Sequence, residues 1–132
     1  MKNYVYVAEL LPENTGYSVV FPDVPDCFTC GDNLAQAIKM AEDALALWLM
    51  DLEDKHEAIP EAKTDIKQAQ MNTEGIATLI MVDTEAYRRK LNKKSVKKTL
   101  SIPQWMNEAA EAKGINFSQT LQDALAAKLQ TV

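Results

Sequence analysis

The last part of the chain constrains the fold most. Thr99-Leu100-Ser101-Ile102 alternates polar and apolar, so Leu100 and Ile102 share one face of a strand and Thr99 and Ser101 the other. Pro103 suits the first position of a helix, where its missing N–H costs nothing. Trp105, Met106, Ala109 and Ala110 mark a helical face that stops at Lys113-Gly114, with Gly114 as a left-handed cap. Asn116-Phe117-Ser118-Gln119 has the form of a capping box, and Leu121, Ala124, Leu125, Lys128 and Leu129 continue a second helix. A lone strand leaves its backbone donors and acceptors orphaned, and two short helices bury too little surface to fold alone. Both problems vanish if two copies pair their strands antiparallel and interlock their helices. The tail is expected to be half of a homodimer, or of a larger even-numbered assembly.

Charge divides the chain at the same place. Residues 1–87 hold 5 Lys/Arg and 16 Asp/Glu, a net −11, whereas residues 88–132 hold 9 Lys/Arg and 3 Asp/Glu, a net +6. Most of the basic residues lie between Arg88 and Lys98. An acidic body with a basic tail implies two jobs, and the tail is the part suited to a polyanion. The expected division is a body over 1–87, a basic linker over 88–98 and a strand-helix-helix domain over 99–132.

In the body, Tyr4–Leu10 and Tyr17–Phe21 read as two strands of a hairpin joined through Pro12-Glu13-Asn14-Thr15-Gly16. Pro22 and Pro25 interrupt regular pairing, and Phe28-Thr29-Cys30 is a short third strand. Leu34, Ala37, Ile38, Ala41, Leu45, Trp48, Leu49 and Leu52 recur at helical spacing, with Asp32 or Asn33 as the cap. Such a helix of roughly 20 residues packs on the hairpin. The pattern breaks down from Asp54 to Asn72, which reads as a loop with at most a short turn. Gly75–Val82 is a nearly continuous apolar run, expected to be a strand buried on both faces. The fold class is α+β. The apolar runs are far too short to cross a bilayer, and no signal peptide is visible at Met1-Lys2-Asn3-Tyr4, so a cytoplasmic protein without membrane contact is expected.

Chemistry-bearing residues are few. Cys27 and Cys30 have the spacing of half a zinc site, but a closed site needs four ligands and His56 is the only histidine. Free thiols are the simpler reading. Asp23, Asp26 and Asp32 admit a Mg²⁺ nuclease reading, set against one in which Asp23 and Asp26 shape a Pro-rich turn and Asp32 caps a helix. One histidine in a charged stretch assembles no Ser/His/Asp set, and four scattered glycines make no phosphate loop. No catalytic residue, metal or cofactor is assigned.

In a tail dimer the paired strands form a ribbon whose outer face carries Lys97, Thr99 and Ser101 from each chain, a shape that enters the major groove of B-DNA. The free amides around Asn116, Phe117 and Ser118 suit a backbone phosphate. Lys94 and Lys98, with Lys93, add sequence-independent attraction. The order Lys-Lys-Thr-Leu-Ser-Ile-Pro, then Gly114-Ile115-Asn116-Phe117-Ser118, then Leu121 and Ala124-Leu125, resembles the ribbon-helix-helix (β-α-α) repressors.

Gly16-Tyr17-Ser18-Val19-Val20-Phe21-Pro22-Asp23-Val24-Pro25-Asp26-Cys27-Phe28-Thr29-Cys30-Gly31-Asp32, followed by Ala35-x-Ala37 and Ala41-Glu42-Asp43-Ala44-Leu45, resembles the HicB antitoxins. That resemblance implies a partial RNase H-like sheet-plus-helix domain that binds and occludes the small mRNA interferase HicA. It also implies a ribbon-helix-helix domain that dimerises, binds operator DNA and represses the shared operon. The hairpin and the turn Pro22, Asp23, Val24, Pro25, Asp26 and Cys27 are the expected toxin-facing surface. The alternative is a stand-alone ribbon-helix-helix regulator whose N-terminal domain binds an effector.

Overall fold

Alternating residues in the first strand split between two environments, and that split organises the body. In a computed structural model that describes residues 3–130, β1 (Asn3–Pro12) buries Tyr6, Ala8 and Leu10 in the core. β1 pairs antiparallel with β2 (Tyr17–Val20), and β2 with β3 (Phe28–Gly31). Gly16, at φ +80°, closes the first hairpin in a conformation that other residues rarely adopt. The outermost residues of the expected segments 1–87 and 99–132, namely 1–2 and 131–132, lie outside the described residues, as does the start of the stretch read for a signal peptide.

β3 leads directly into α1 (Leu34–Asp54), capped by Asn33, whose side chain accepts from the Gln36 N–H at 2.9 Å. Ala37, Ala41, Leu45, Ala46, Leu49 and Leu52 of α1 are buried against the sheet. Leu34 and Ile38 lie at the rim and stay largely exposed. Alanines on the buried face let the helix come close. A Cβ on Gly31 would meet the Ala37 backbone at 2.4 Å, so β3 and the first turn of α1 touch where only glycine fits.

The next 20 or so residues are more ordered than their composition suggests. The end of α1 lies beside the start of β1, where the Tyr4 hydroxyl donates to Glu53 at 2.8 Å. Gly75, by contrast, packs against Leu10 and Leu11 at the other end of β1. The chain between them must therefore run the length of the sheet a second time. It is held on the way by the Tyr6 hydroxyl, which donates to the Pro60 carbonyl, and by Asp23, which accepts from the Thr64 N–H at 3.0 Å and hydroxyl at 2.7 Å. It ends in α2 (Ile66–Asn72), a helix absent from the sequence reading, which packs on β1 and β4.

After this second traverse β4 (Ile76–Asp83) enters antiparallel to β1, giving the strand order β3-β2-β1-β4. Burial of β4 on both faces is overturned. As an edge strand it buries Ile80 and Val82 in the core, while Leu79 and Met81 face outward and are exposed. A continuous apolar run here marks a strand with an apolar outer face, not a central one.

α3 (Thr84–Leu91) starts without a break, capped by Asp83. The expected linker 88–98 therefore begins inside a helix. The chain separates into two compact units, Met1–Lys94 and Ser95–Val132. In the second, α4 (Gln104–Ala112) follows Pro103 and ends at Gly114, φ +66°. Its Ile115 N–H reaches back to the Ala110 carbonyl at 3.1 Å, closing the C-terminus as expected of a left-handed glycine. α5 (Phe117–Gln130) completes the unit. Residues 99–102 form no strand: a ladder needs a second strand, and within one chain none is at hand.

Candidate functional site

Two surfaces carry the residues singled out from the sequence. The first is the turn after β2. Val24 donates to the Phe21 carbonyl at 3.0 Å and Cys27 to the Val24 carbonyl at 2.9 Å, so the two prolines sit in a pair of tight turns. These turns point Val24 (1% exposed) and Cys27 (4% exposed) into the core. Neither is available to a partner. Asp23 is half-buried and occupied by Thr64, which leaves Pro22, Pro25 and Asp26 as the exposed part of the turn. Burial pushes the Cys27 thiol up to about 11, which keeps it protonated and unreactive near neutral pH. Cys30 is exposed on β3. Among the described residues no three His, Cys, Asp or Glu side chains come together to hold a metal ion.

The second surface is the tail. Lys94, Lys97, Lys98, Thr99, Ser101, Asn116, Phe117 and Ser118 are all exposed. Asn116 accepts from the Gln119 N–H at 3.0 Å, the first half of a capping box. The Gln119 side chain turns forward to Asp123 at 2.8 Å instead of returning to the cap, so the reciprocal half is absent. No residue described in α4 or α5 is buried. Leu100, Ile102, Trp105, Met106, Leu125 and Leu129 stand open to solvent in the single chain. Two amphipathic helices without a buried residue between them are an incomplete core.

A family model described as the HicB-like antitoxin of bacterial toxin–antitoxin systems matches residues 4–125, spanning both units. This chain belongs to the HicB-like antitoxin family. Antitoxin HicB 2 of Photorhabdus laumondii is 43% identical over 44 residues, 33% of this chain and 32% of that protein. The chain spans about a third of the length of the curated relatives it matches. Among solved structures, a toxin–antitoxin complex from Streptococcus pneumoniae is similar with a TM-score of 0.57 and 26% identity, covering 96% of this chain and 99% of that one. The crystal structure of antitoxin HicB3 has a TM-score of 0.51 and 25% identity, covering 95% and 97%. The family and this curated relative are both described as antitoxins.

One constellation in this HicB-family chain escaped the sequence reading. Glu53 accepts from the Tyr4 hydroxyl, the Thr84 hydroxyl at 3.0 Å and the Arg88 guanidinium at 3.0 Å. Arg88 also reaches the Met50 carbonyl at 3.2 Å and Asp54 at 2.9 Å. The cluster ties α1, β1 and α3 together. Arg88 thus fastens the body and is not part of the free basic run. No pattern in the sequence joins residues 4, 53, 84 and 88; only the meeting of the two helix ends does. Among the described residues no helix is long and apolar enough to cross a membrane.

Proposed function

We propose that this chain neutralises a co-encoded HicA-type ribonuclease with its acidic body and represses its own operon with its tail. The body, residues 1–87 with the rest of α3, is read as a partial RNase H-like unit. A three-stranded meander, one long helix and a return to the first strand support that reading. Residues 1–87 carry a net −11, and −8 once Arg88, Arg89 and Lys90 of α3 are included, which suits a basic, RNA-cleaving partner and speeds their encounter. Inhibition is occlusion: the partner's RNA-binding face is covered, so substrate cannot enter.

The tail, residues 99–132, is read as one half of a ribbon-helix-helix dimer. The single observation that carries this is the unburied pair α4 and α5, with Leu100 and Ile102 exposed beside them. A second copy supplies both a partner for the extended segment and a floor for the helices. Lys97, Thr99 and Ser101 then line the ribbon, Lys94 and Lys98 flank it, and the amides at Asn116, Phe117 and Ser118 meet a phosphate. Truncation after Lys94 is expected to abolish operator binding and to leave toxin inhibition largely intact, read by gel shift and by an RNA-cleavage assay. A truncated chain that still shifts operator DNA overturns the tail assignment.

The effector-binding alternative finds less support. The groove between Glu9, Pro22, Lys63, Thr64 and Asn72 has a volume of about 380 Å³ but is wide open to solvent. Small-molecule sites are usually enclosed and mostly apolar.

A further inference from the structure

The sheet has two edges, and they are treated differently. The Glu13 N–H donates to the Gly16 carbonyl at 3.0 Å. Antiparallel pairs alternate between bonded and non-bonded, so from that closing pair Leu11–Ser18 and Glu9–Val20 are bonded, and Tyr17 and Val19 turn toward β3. Gly31 and Thr29 therefore face back to β2, while Phe28 and Cys30 aim their N–H and carbonyl groups away from the sheet. The same alternation puts the Ala77 N–H on the free edge of β4. There it donates to the Gln70 side chain at 2.8 Å, and that side chain donates to the Gly75 carbonyl at 3.0 Å. An amide from α2 thus covers the start of the β4 edge, the kind of blunting that discourages strand addition. β3 carries an exposed aromatic instead, Phe28, 72% accessible.

Charge selects the occupant. From residue 3 to residue 38 the sequence contains no Lys, Arg or His, but does contain Glu9, Glu13, Asp23, Asp26 and Asp32. Asp26 and Asp32 flank β3 on either side and are exposed. Two copies joined antiparallel along β3 would set Asp26 of one against Asp32 of the other, and an RNA strand carries the wrong sign. We propose that the free edge of β3, Phe28–Gly31, is a docking strand for an extended, basic segment of the toxin protein. That segment adds as a fifth strand, with its backbone on Cys30 and Phe28, an apolar side chain on the Phe28 ring and cations toward Asp26 and Asp32. This rests on the toxin-binding reading above and names its surface.

The test is titration calorimetry of the full-length chain against a catalytically inactive form of the toxin encoded beside it. Cys30→Pro removes an outward N–H without touching the β2 ladder, a place where an edge strand tolerates proline. It is expected to weaken binding about tenfold or more. Phe28→Lys alters a side chain already in water, so the fold survives; it removes the anchor, adds a like charge, and is expected to weaken binding to a similar degree. Leu79→Pro, the matching change on the β4 edge, is expected to bind as the unaltered chain does. If the unaltered chain binds no toxin, the underlying reading falls. If it binds and both β3 variants match it, the β3 dock alone falls, as it does if only Leu79→Pro loses affinity. Should Cys30→Pro unfold by circular dichroism, Phe28→Lys and slowed amide exchange at Phe28 and Cys30 in the complex decide the matter.

Discussion

Cys27 and Cys30 are three residues apart and chemically unlike. Cys27 lies in the core with its thiol held protonated by burial, whereas Cys30 faces water from an edge strand. Iodoacetamide at neutral pH is expected to label one thiol per native chain, at Cys30, and two after denaturation; rapid labelling of both would refute the placement of Val24 and Cys27. Asp23 joins two distant segments through Thr64, so Asp23→Ala should leave a half-buried N–H and hydroxyl unpaired. A loss of about 1–3 kcal/mol, seen as a lower urea midpoint, is expected. Tyr4 offers a pH test. Burial first, and then its bond to Glu53, push the phenol up to about 12. A group whose pKa rises on folding contributes fully below its unfolded value, near 10, and that contribution is lost as pH climbs through 12. Stability should therefore fall less between about pH 10 and 12 in Tyr4→Phe than in the unaltered chain, read as a smaller drop in urea midpoint across that range. Nothing in the sequence marks these bonds of Tyr4 and Asp23, because the partners lie 49 and 41 positions away.

At the scale of elements, what could be read was what is written locally. The meander, the long helix with its Asn33 cap and the stop at Gly114 depend on neighbours a few residues apart, and alternation and helical spacing record them. β4 shows the limit. An apolar run says that a strand forms but not which side is covered, and that depends on the second traverse from α1 to Gly75. That traverse and α2 are fixed by tertiary bonds from Tyr6, Asp23 and Gln70, which leave no periodic trace. The α3 anchor is similar: Arg88 reads as one more basic residue of a run. In Arg88→Ala, hydrogen exchange over α3 should accelerate while β1 and β2 stay protected; equal acceleration throughout would mean the anchor also holds the sheet. In the tail, the Asn116 cap is worth about 1 kcal/mol, so Asn116→Ala should lower the stability of the assembled tail by about that amount.

At the scale of the whole molecule, the exposed apolar side chains of α4 and α5 predict two melting events of different kind. The body, with its own core, should melt at a temperature independent of concentration. The tail should melt at a temperature that rises with chain concentration, as any folded state does that forms only on association. The proposed DNA binding is tested residue by residue in the same spirit. Lys94→Ala should weaken all sequences and reduce the salt slope by about one, whereas Thr99→Ala and Ser101→Ala should relax sequence preference; a uniform loss for all three removes the ribbon as reader. The two tail helices and their stop at Gly114 were legible because helical spacing and a left-handed glycine are local signals, whereas the buried members of the Pro22–Cys27 turn were not, since burial is a property of the finished core. The bare undersides of α4 and α5 also bear on how long the molecule survives in a cell. If the tail pairs as proposed, a solitary chain offers a protease an unpacked segment that pairing hides, so half-life should lengthen with abundance and scarcity should hasten turnover. An antitoxin that pairs in this way would carry a memory of its own synthesis rate in its rate of destruction.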